Sequence, residues 1–205
     1  MLKRPARAVS RLSAACALLY FSGVAQAAPQ NITELPLSAE SDNRWSIPAG
    51  EYQGQFLIDQ PIHLRCEDGA ILSAQGPGFG IWIDRASDVS VIGNNIQGDE
   101  NLRSQNRGNG IHVFSTKGAR IVDNHVRHTR DGIYIGNANG NQIEGNTLED
   151  LRYGVHYMFS HDNTVIGNIT RNTRTGYALM QSRQLTVTGN RSEHDQNYGI
   201  LMNYI

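Results

Sequence analysis

From Gly80 onward the chain carries short alternations of apolar and polar residues at a fixed step. Gly110-Ile111-His112-Val113, Gly132-Ile133-Tyr134-Ile135, Gly154-Val155-His156-Tyr157 and Gly176-Tyr177-Ala178-Leu179 begin 22 residues apart. Gly199-Ile200-Leu201-Met202 follows 23 residues later, and Gly80-Ile81-Trp82-Ile83 precedes the series by 30. A second motif keeps the same register: Val91-Ile92-Gly93-Asn94, Ile121-Val122-Asp123-Asn124, Ile143-Glu144-Gly145-Asn146, Val165-Ile166-Gly167-Asn168 and Val187-Thr188-Gly189-Asn190. Its asparagines stand 30, 22, 22 and 22 residues apart. Each motif is three or four residues of period-two character followed by a turn, which is the pattern of a strand. A helical repeat needs ten or more residues at period 3.6, and leucine-rich spacing is absent. Short strands and Gly-Asn corners in a 22-residue unit predict one coil of a right-handed parallel β-helix, an all-β solenoid.

Stacked coils place equivalent residues about 4.8 Å apart. The first and third residues after each repeat glycine should point inward: Ile111 and Val113, Ile133 and Ile135, Val155 and Tyr157, Tyr177 and Leu179. Val91, Ile121, Ile143, Val165 and Val187 form a second inward column. Asn94, Asn124, Asn146, Asn168 and Asn190 should build a structural ladder of side-chain amides at a corner. The 30-residue step implies an eight-residue insertion, placed within the polar stretch Gly98 to Gly108.

The chain divides into residues 1–27, a signal peptide; 28–79, an N-terminal capping region and first coil; and 80–205, the coils proper. In the capping region Pro48 to Tyr52 reads as a turn, followed by apolar runs at Phe56-Leu57-Ile58, Ile62-His63-Leu64 and Ala70-Ile71-Leu72. A solenoid end needs such a cover. Ile205 falls inside the strand of a further coil with no cap after it, so the expectation is an N-terminal fragment.

Lys3, Arg4, Arg7 and Arg11 precede an apolar run from Leu12 to Val24 that is too short to span a bilayer. Ala25-Gln26-Ala27 then has the form of a cleavage site, which predicts export. From Ala28 onward 14 basic side chains face 19 acidic ones, which argues against nucleic acid as partner. Cys66 is the one cysteine left after cleavage, so no intramolecular disulfide can form, and it reads as a buried small residue.

The outward positions carry the candidate chemistry. The second residue after each glycine runs Trp82, His112, Tyr134, His156, Ala178, Leu201, and the fourth runs Asp84, Phe114, Gly136, Met158, Met180, Asn203. His156 and Met158 therefore share one face of one strand, with Met180 one coil away and His112 two coils from His156. Imidazole and thioether ligands together favour Cu(I), and packing against a partner is the plain alternative for the methionines. His125, His128, His161 and His194 fall in or near turns and read as surface histidines. A carbohydrate-active β-helix, lyase or epimerase, would need carboxylates gathered in one cleft. Asp84, Asp88, Asp123, Asp131, Asp150 and Asp162 instead scatter over different repeat positions, and only Asp88 and Asp162 share one, three coils apart.

Leu151-Arg152-Tyr153-Gly154-Val155-His156-Tyr157-Met158-Phe159-Ser160-His161-Asp162-Asn163, Arg174-Thr175-Gly176-Tyr177-Ala178-Leu179-Met180 and Tyr198-Gly199-Ile200-Leu201-Met202 closely resemble the signature of the NosD family, periplasmic β-helix proteins required for maturing the copper centres of nitrous oxide reductase. The resemblance runs from the signal peptide to Ile205. It implies a non-enzymatic accessory protein of the periplasm. Its implied partners are an ABC transporter (permease and ATPase), a copper chaperone lipoprotein and apo nitrous oxide reductase. The family is about twice this length, which agrees with a fragment, and it brings no catalytic residues to transfer. His156, Met158 and Met180 as a Cu(I) relay rest on the spacing alone, with a carbohydrate-active β-helix as the alternative reading.

Overall fold

In the computed structural model, which describes residues 28–41, 43–74 and 76–205, every one of the repeated apolar alternations is a strand. The expected signal peptide, residues 1–27, lies outside the described residues. Three sheets run the length of the stack. The first contains eight strands, among them Ile81–Asp84, Ile111–Phe114, Asp131–Gly136, Tyr153–Met158, Thr175–Met180 and Tyr198–Asn203. The second, also of eight, includes Val89–Ile92, Arg120–Val122, Gln142–Glu144, Thr164–Ile166 and Thr186–Thr188. The third has seven, from Gly50–Gln53 through Asn95–Gln97 and Thr147–Glu149 to Arg191–Glu193. Neighbours pair in parallel, each with the next coil, so the molecule is a parallel β-solenoid with the predicted 22-residue step. Ser38–Ser41 is the exception, pairing antiparallel with Arg44–Ile47 at one end of the second sheet.

The core is a set of columns inside the stack. Ile111, Ile133, Val155 and Tyr177 are register partners in one column, and Val113, Ile135, Tyr157 and Leu179 in the next, all essentially without exposure. Val91, Ile121, Ile143 and Val165 form the second sheet's column. The third sheet adds Leu72, Ile96, Val126 and Leu148, a column the sequence pattern did not disclose. It narrows to Thr170 and Ser192, whose hydroxyls bond at 2.6 Å, in the coils where the large rings of Tyr157 and Tyr177 enter the core. Burying each aliphatic side chain contributes roughly 1.5–3 kcal/mol, so these columns are the main favourable contribution to folding.

The recurring glycine has a steric cause. A Cβ on Gly110, Gly132 or Gly154 would lie 2.6–2.7 Å from the carbonyl oxygen of the glycine in the next coil. A methyl group there would push the coils apart, so the position stays bare through the stack.

The asparagine ladder forms as expected. Asn94, Asn124, Asn146 and Asn168 each donate a side-chain hydrogen bond of 2.8–2.9 Å to the asparagine of the next coil. The Cys66 thiol donates to Asn94 Oδ1 at 3.1 Å and so ends the ladder. Burial pushes this thiol's pKa up to about 11, which leaves it unreactive. A second, shorter ladder through Ala119, Asn141 and Asn163 marks another corner.

One reading is corrected. Pro48 to Tyr52 is not a turn throughout, since Gly50–Gln53 is a strand of the third sheet paired with Ala70–Ser73. His125 opens the strand His125–Arg127 directly after the Asn124 corner, near a turn as expected, with its Nε2 2.8 Å from Glu149. The error has a simple cause: third-sheet strands are about three residues long with a single inward side chain, too little to show a period. The insertion lies where expected, between Asn95–Gln97 and Ile111–Phe114, and holds one short 3-10 turn at Ser104–Asn106.

Candidate functional site

The outer face of the first sheet carries the candidate residues in the predicted columns. Trp82, His112, Tyr134, His156 and Ala178 are successive register partners. Gly136, Met158 and Met180 are successive partners beside them. Strand alternation requires this, because Val155 and Tyr157 point into the core and turn His156 and Met158 outward. The structure thus brings Met158 and Met180 together as direct neighbours, both half-buried, with His156 two residues back along the same strand. His112 remains two coils from His156, with Tyr134 between them.

Although outward-facing, His156 is only 8% exposed. The Tyr134 and Tyr153 rings stand against the imidazole edge-on at 5.1 and 4.9 Å between centroids. His112 stacks on the other side of Tyr134 at 4.6 Å. Burial pushes the His112 pKa down to about 4, so this ring is neutral at ordinary pH.

Beneath His156 lies a group that reading the sequence did not connect to it. His156 Nδ1 is 2.9 Å from Asp131 Oδ2. Arg152 grips the same carboxylate with both faces of its fork, Nε to Oδ1 at 2.8 Å and Nη2 to Oδ2 at 2.6 Å. The guanidinium also lies over the Tyr153 ring, 4.4 Å from its centroid. Asp131 is 1% exposed. Burial by itself would raise its pKa, but hydrogen bonds from His156 and Arg152 outweigh that and hold it below the usual carboxylate range. The signal that could have found Asp131 is its place immediately before repeat glycine Gly132, on the edge of the outward columns.

The other imidazole nitrogen is left without a partner. His156 Nε2 is buried and has no hydrogen-bond partner. A carboxylate can only accept, so Nδ1 is the nitrogen that carries a proton, and in the tautomer this bond selects the lone pair lies on Nε2. An imidazole anchored at Nδ1, on the same outward face as two thioethers, is the type of donor set that suits a soft, low-coordinate ion such as Cu(I).

Among the described residues carboxylates do not gather into a sugar-cleaving cleft. Asp131 is engaged by Arg152 and His156, Glu149 lies on the third sheet with His125 and Arg171, and Asp84 pairs with Arg85. Among the described residues no three His, Cys, Asp or Glu side chains converge as a metal site. A groove lined by Arg44, Trp45, His63 and Arg120 lies on the second sheet and takes in none of the candidate residues.

Comparison with known proteins now bears on this face. The family model described as "Periplasmic copper-binding protein (NosD)" matches residues 78–205, which include all the candidate ligands. The chain belongs to the NosD family. A NosD relative from Stutzerimonas stutzeri, named "Probable ABC transporter binding protein NosD", is 54% identical over 96% of this chain and 57% of its own length. A NosD relative of the same name from Pseudomonas aeruginosa is 49% identical over 96% of this chain and 58% of its own length. The chain therefore spans less than three fifths of these NosD proteins. Among solved structures, a candidate glycosyl hydrolase from Parabacteroides merdae superposes with a TM-score of 0.51 over 73% of this chain and 80% of its own, at 14% identity. That likeness establishes the fold alone. Among the described residues no helix is long and apolar enough to cross a membrane.

Proposed function

We propose that this chain acts in the periplasm as a non-enzymatic accessory protein for assembling the copper centres of nitrous oxide reductase, a metallochaperone of denitrification. It would work with an ABC transporter and a copper chaperone lipoprotein and deliver Cu(I) to apo-reductase. His156, Met158 and Met180 receive or relay the ion as cargo. Family membership supports the setting, since the family is described as periplasmic and copper-binding and its relatives as ABC transporter binding proteins.

The observation that carries the site is the buried, unpartnered Nε2 of His156, on the strand that also holds Met158, in register with Met180. Thioethers prefer Cu(I) to harder ions and let go of it readily, which suits transfer rather than storage. The hydrogen-bonded Asp131–His156 pair on this face is read as the support of a metal ligand, and no reaction is assigned to it.

Anaerobic titration of the purified protein with Cu(I) against a competing chelator tests the reading. A variant combining His156→Ala, Met158→Leu and Met180→Leu is titrated beside it, with circular dichroism to verify that both are folded. Stoichiometric binding by the parent and its loss in the variant is the expected result. No competition with the chelator, or equal binding by the folded variant, would overturn the site.

A further inference from the structure

We propose that Asp131 is a positioning residue for copper: it fixes the His156 ring so that Nε2, and not Nδ1, is the nitrogen offered to the metal. This rests on the copper reading above and adds to it the group that prepares the ligand.

Asp131 precedes a repeat glycine, and in the neighbouring coils that position holds Asn109, Tyr153, Thr175 and Tyr198. All of these build the same coil, so the solenoid does not demand a carboxylate here. A buried carboxylate carries a desolvation penalty of several kcal/mol unless it is paired. Asp131 is paired twice, by the two-pronged Arg152 and by His156 Nδ1. Arg152 makes the charge tolerable. It does nothing to the imidazole directly, since its fork is spent on the carboxylate and its plane on Tyr153.

The consequence for His156 is chemical. An acceptor-only partner at Nδ1 selects the Nδ1–H tautomer and leaves the lone pair on Nε2. Tyr134 and Tyr153 hold the ring edge-on from two directions, so it cannot turn over to exchange its nitrogens. The next residue in the column is Ala178, which brings no competing ring or polar group to the following coil. Met158 and Met180, unbranched and half-buried, are the flexible side chains beside it. An oriented imidazole with soft flexible neighbours can pass a copper ion without the protein being rebuilt around it.

Two conservative variants separate this role from simple stability. Asp131→Asn keeps the shape but offers an amide that can donate to Nδ1, which favours the opposite tautomer. Arg152→Gln breaks the ion pair but leaves Asp131 as the acceptor. The readouts are the His156 tautomer, from nitrogen-15 spectra of histidine-labelled protein without metal, and Cu(I) affinity by chelator competition. The expected result is Nδ1–H in the parent and in Arg152→Gln, Nε2–H in Asp131→Asn, and a 10- to 100-fold loss of Cu(I) affinity in Asp131→Asn only. Unchanged copper affinity in Asp131→Asn, or an equal loss in Arg152→Gln, would overturn the assignment while leaving the copper site standing. A parent protein that does not compete for Cu(I) at all would overturn the copper reading itself, and this assignment with it.

Discussion

Asn146 Oδ1 accepts two hydrogen bonds from Asn124, one from its backbone nitrogen and one from its side-chain amide, both at 2.9 Å. In return Asn146 Nδ2 donates to Asn168 Oδ1 at 2.8 Å and to the Ile121 carbonyl at 2.9 Å. One fully buried amide thus joins three coils. Asn146→Ala strands these partners in a dry interior, at about 1–3 kcal/mol per orphaned group. Urea unfolding should place the variant about 3 kcal/mol below the parent. Asn190→Ala, at the more exposed end of the ladder, should lose less.

Gly132→Ala places a methyl carbon 2.7 Å from the Gly154 carbonyl oxygen and 2.9 Å from Leu151 Cδ1. Both lie in the packed interior of the stack, so the coils must separate. A loss of about 2–3 kcal/mol is expected from overpacking, read as a lower urea midpoint with an unchanged slope.

Phe159 turns the corner after Met158 with φ +52°, in the left-handed region, and is 51% exposed. The same corner in other coils is taken by Ser115, Asn137 and Gln181, also left-handed. An L-residue there is strained by about 1–2 kcal/mol, least for asparagine. Phe159→Asn should therefore stabilise the protein by about 1 kcal/mol, raising its thermal midpoint.

His112 gives a pH dependence with a defined sign. Its pKa falls from an ordinary 6.5 to about 4 because it is buried, with Asp131 opposing weakly. Below pH 6.5 the unfolded chain takes up a proton that the folded ring refuses. Stability should therefore decline as pH falls from 6.5 toward 4, by about 2 kcal/mol between pH 7 and pH 5 from this group. His112→Phe keeps a ring against Tyr134 and should remove that share of the decline, as measured by urea midpoints at the two pH values.

The amino-acid sequence by itself determined the solenoid, its 22-residue step, the inward columns and the asparagine ladder. It could do so because in a stack of coils each strand pairs with the strand one repeat later, so register is a fixed offset along the chain. For the same reason the facing of His156 and Met158 and the pairing of Met158 with Met180 were legible as arithmetic. The third sheet was not, since its strands offer one inward residue each and no period. Nor was the support beneath His156. Asp131, Arg152 and His156 occupy three different places in the repeat, and no offset links them. Only the stacking of two coils, with a long arginine reaching back across the step and two tyrosine rings closing the sides, brings the carboxylate to Nδ1 and leaves Nε2 open. Backbone register follows from chain spacing, whereas side-chain contact depends on reach, rotamer and burial, which exist only once the coils are packed.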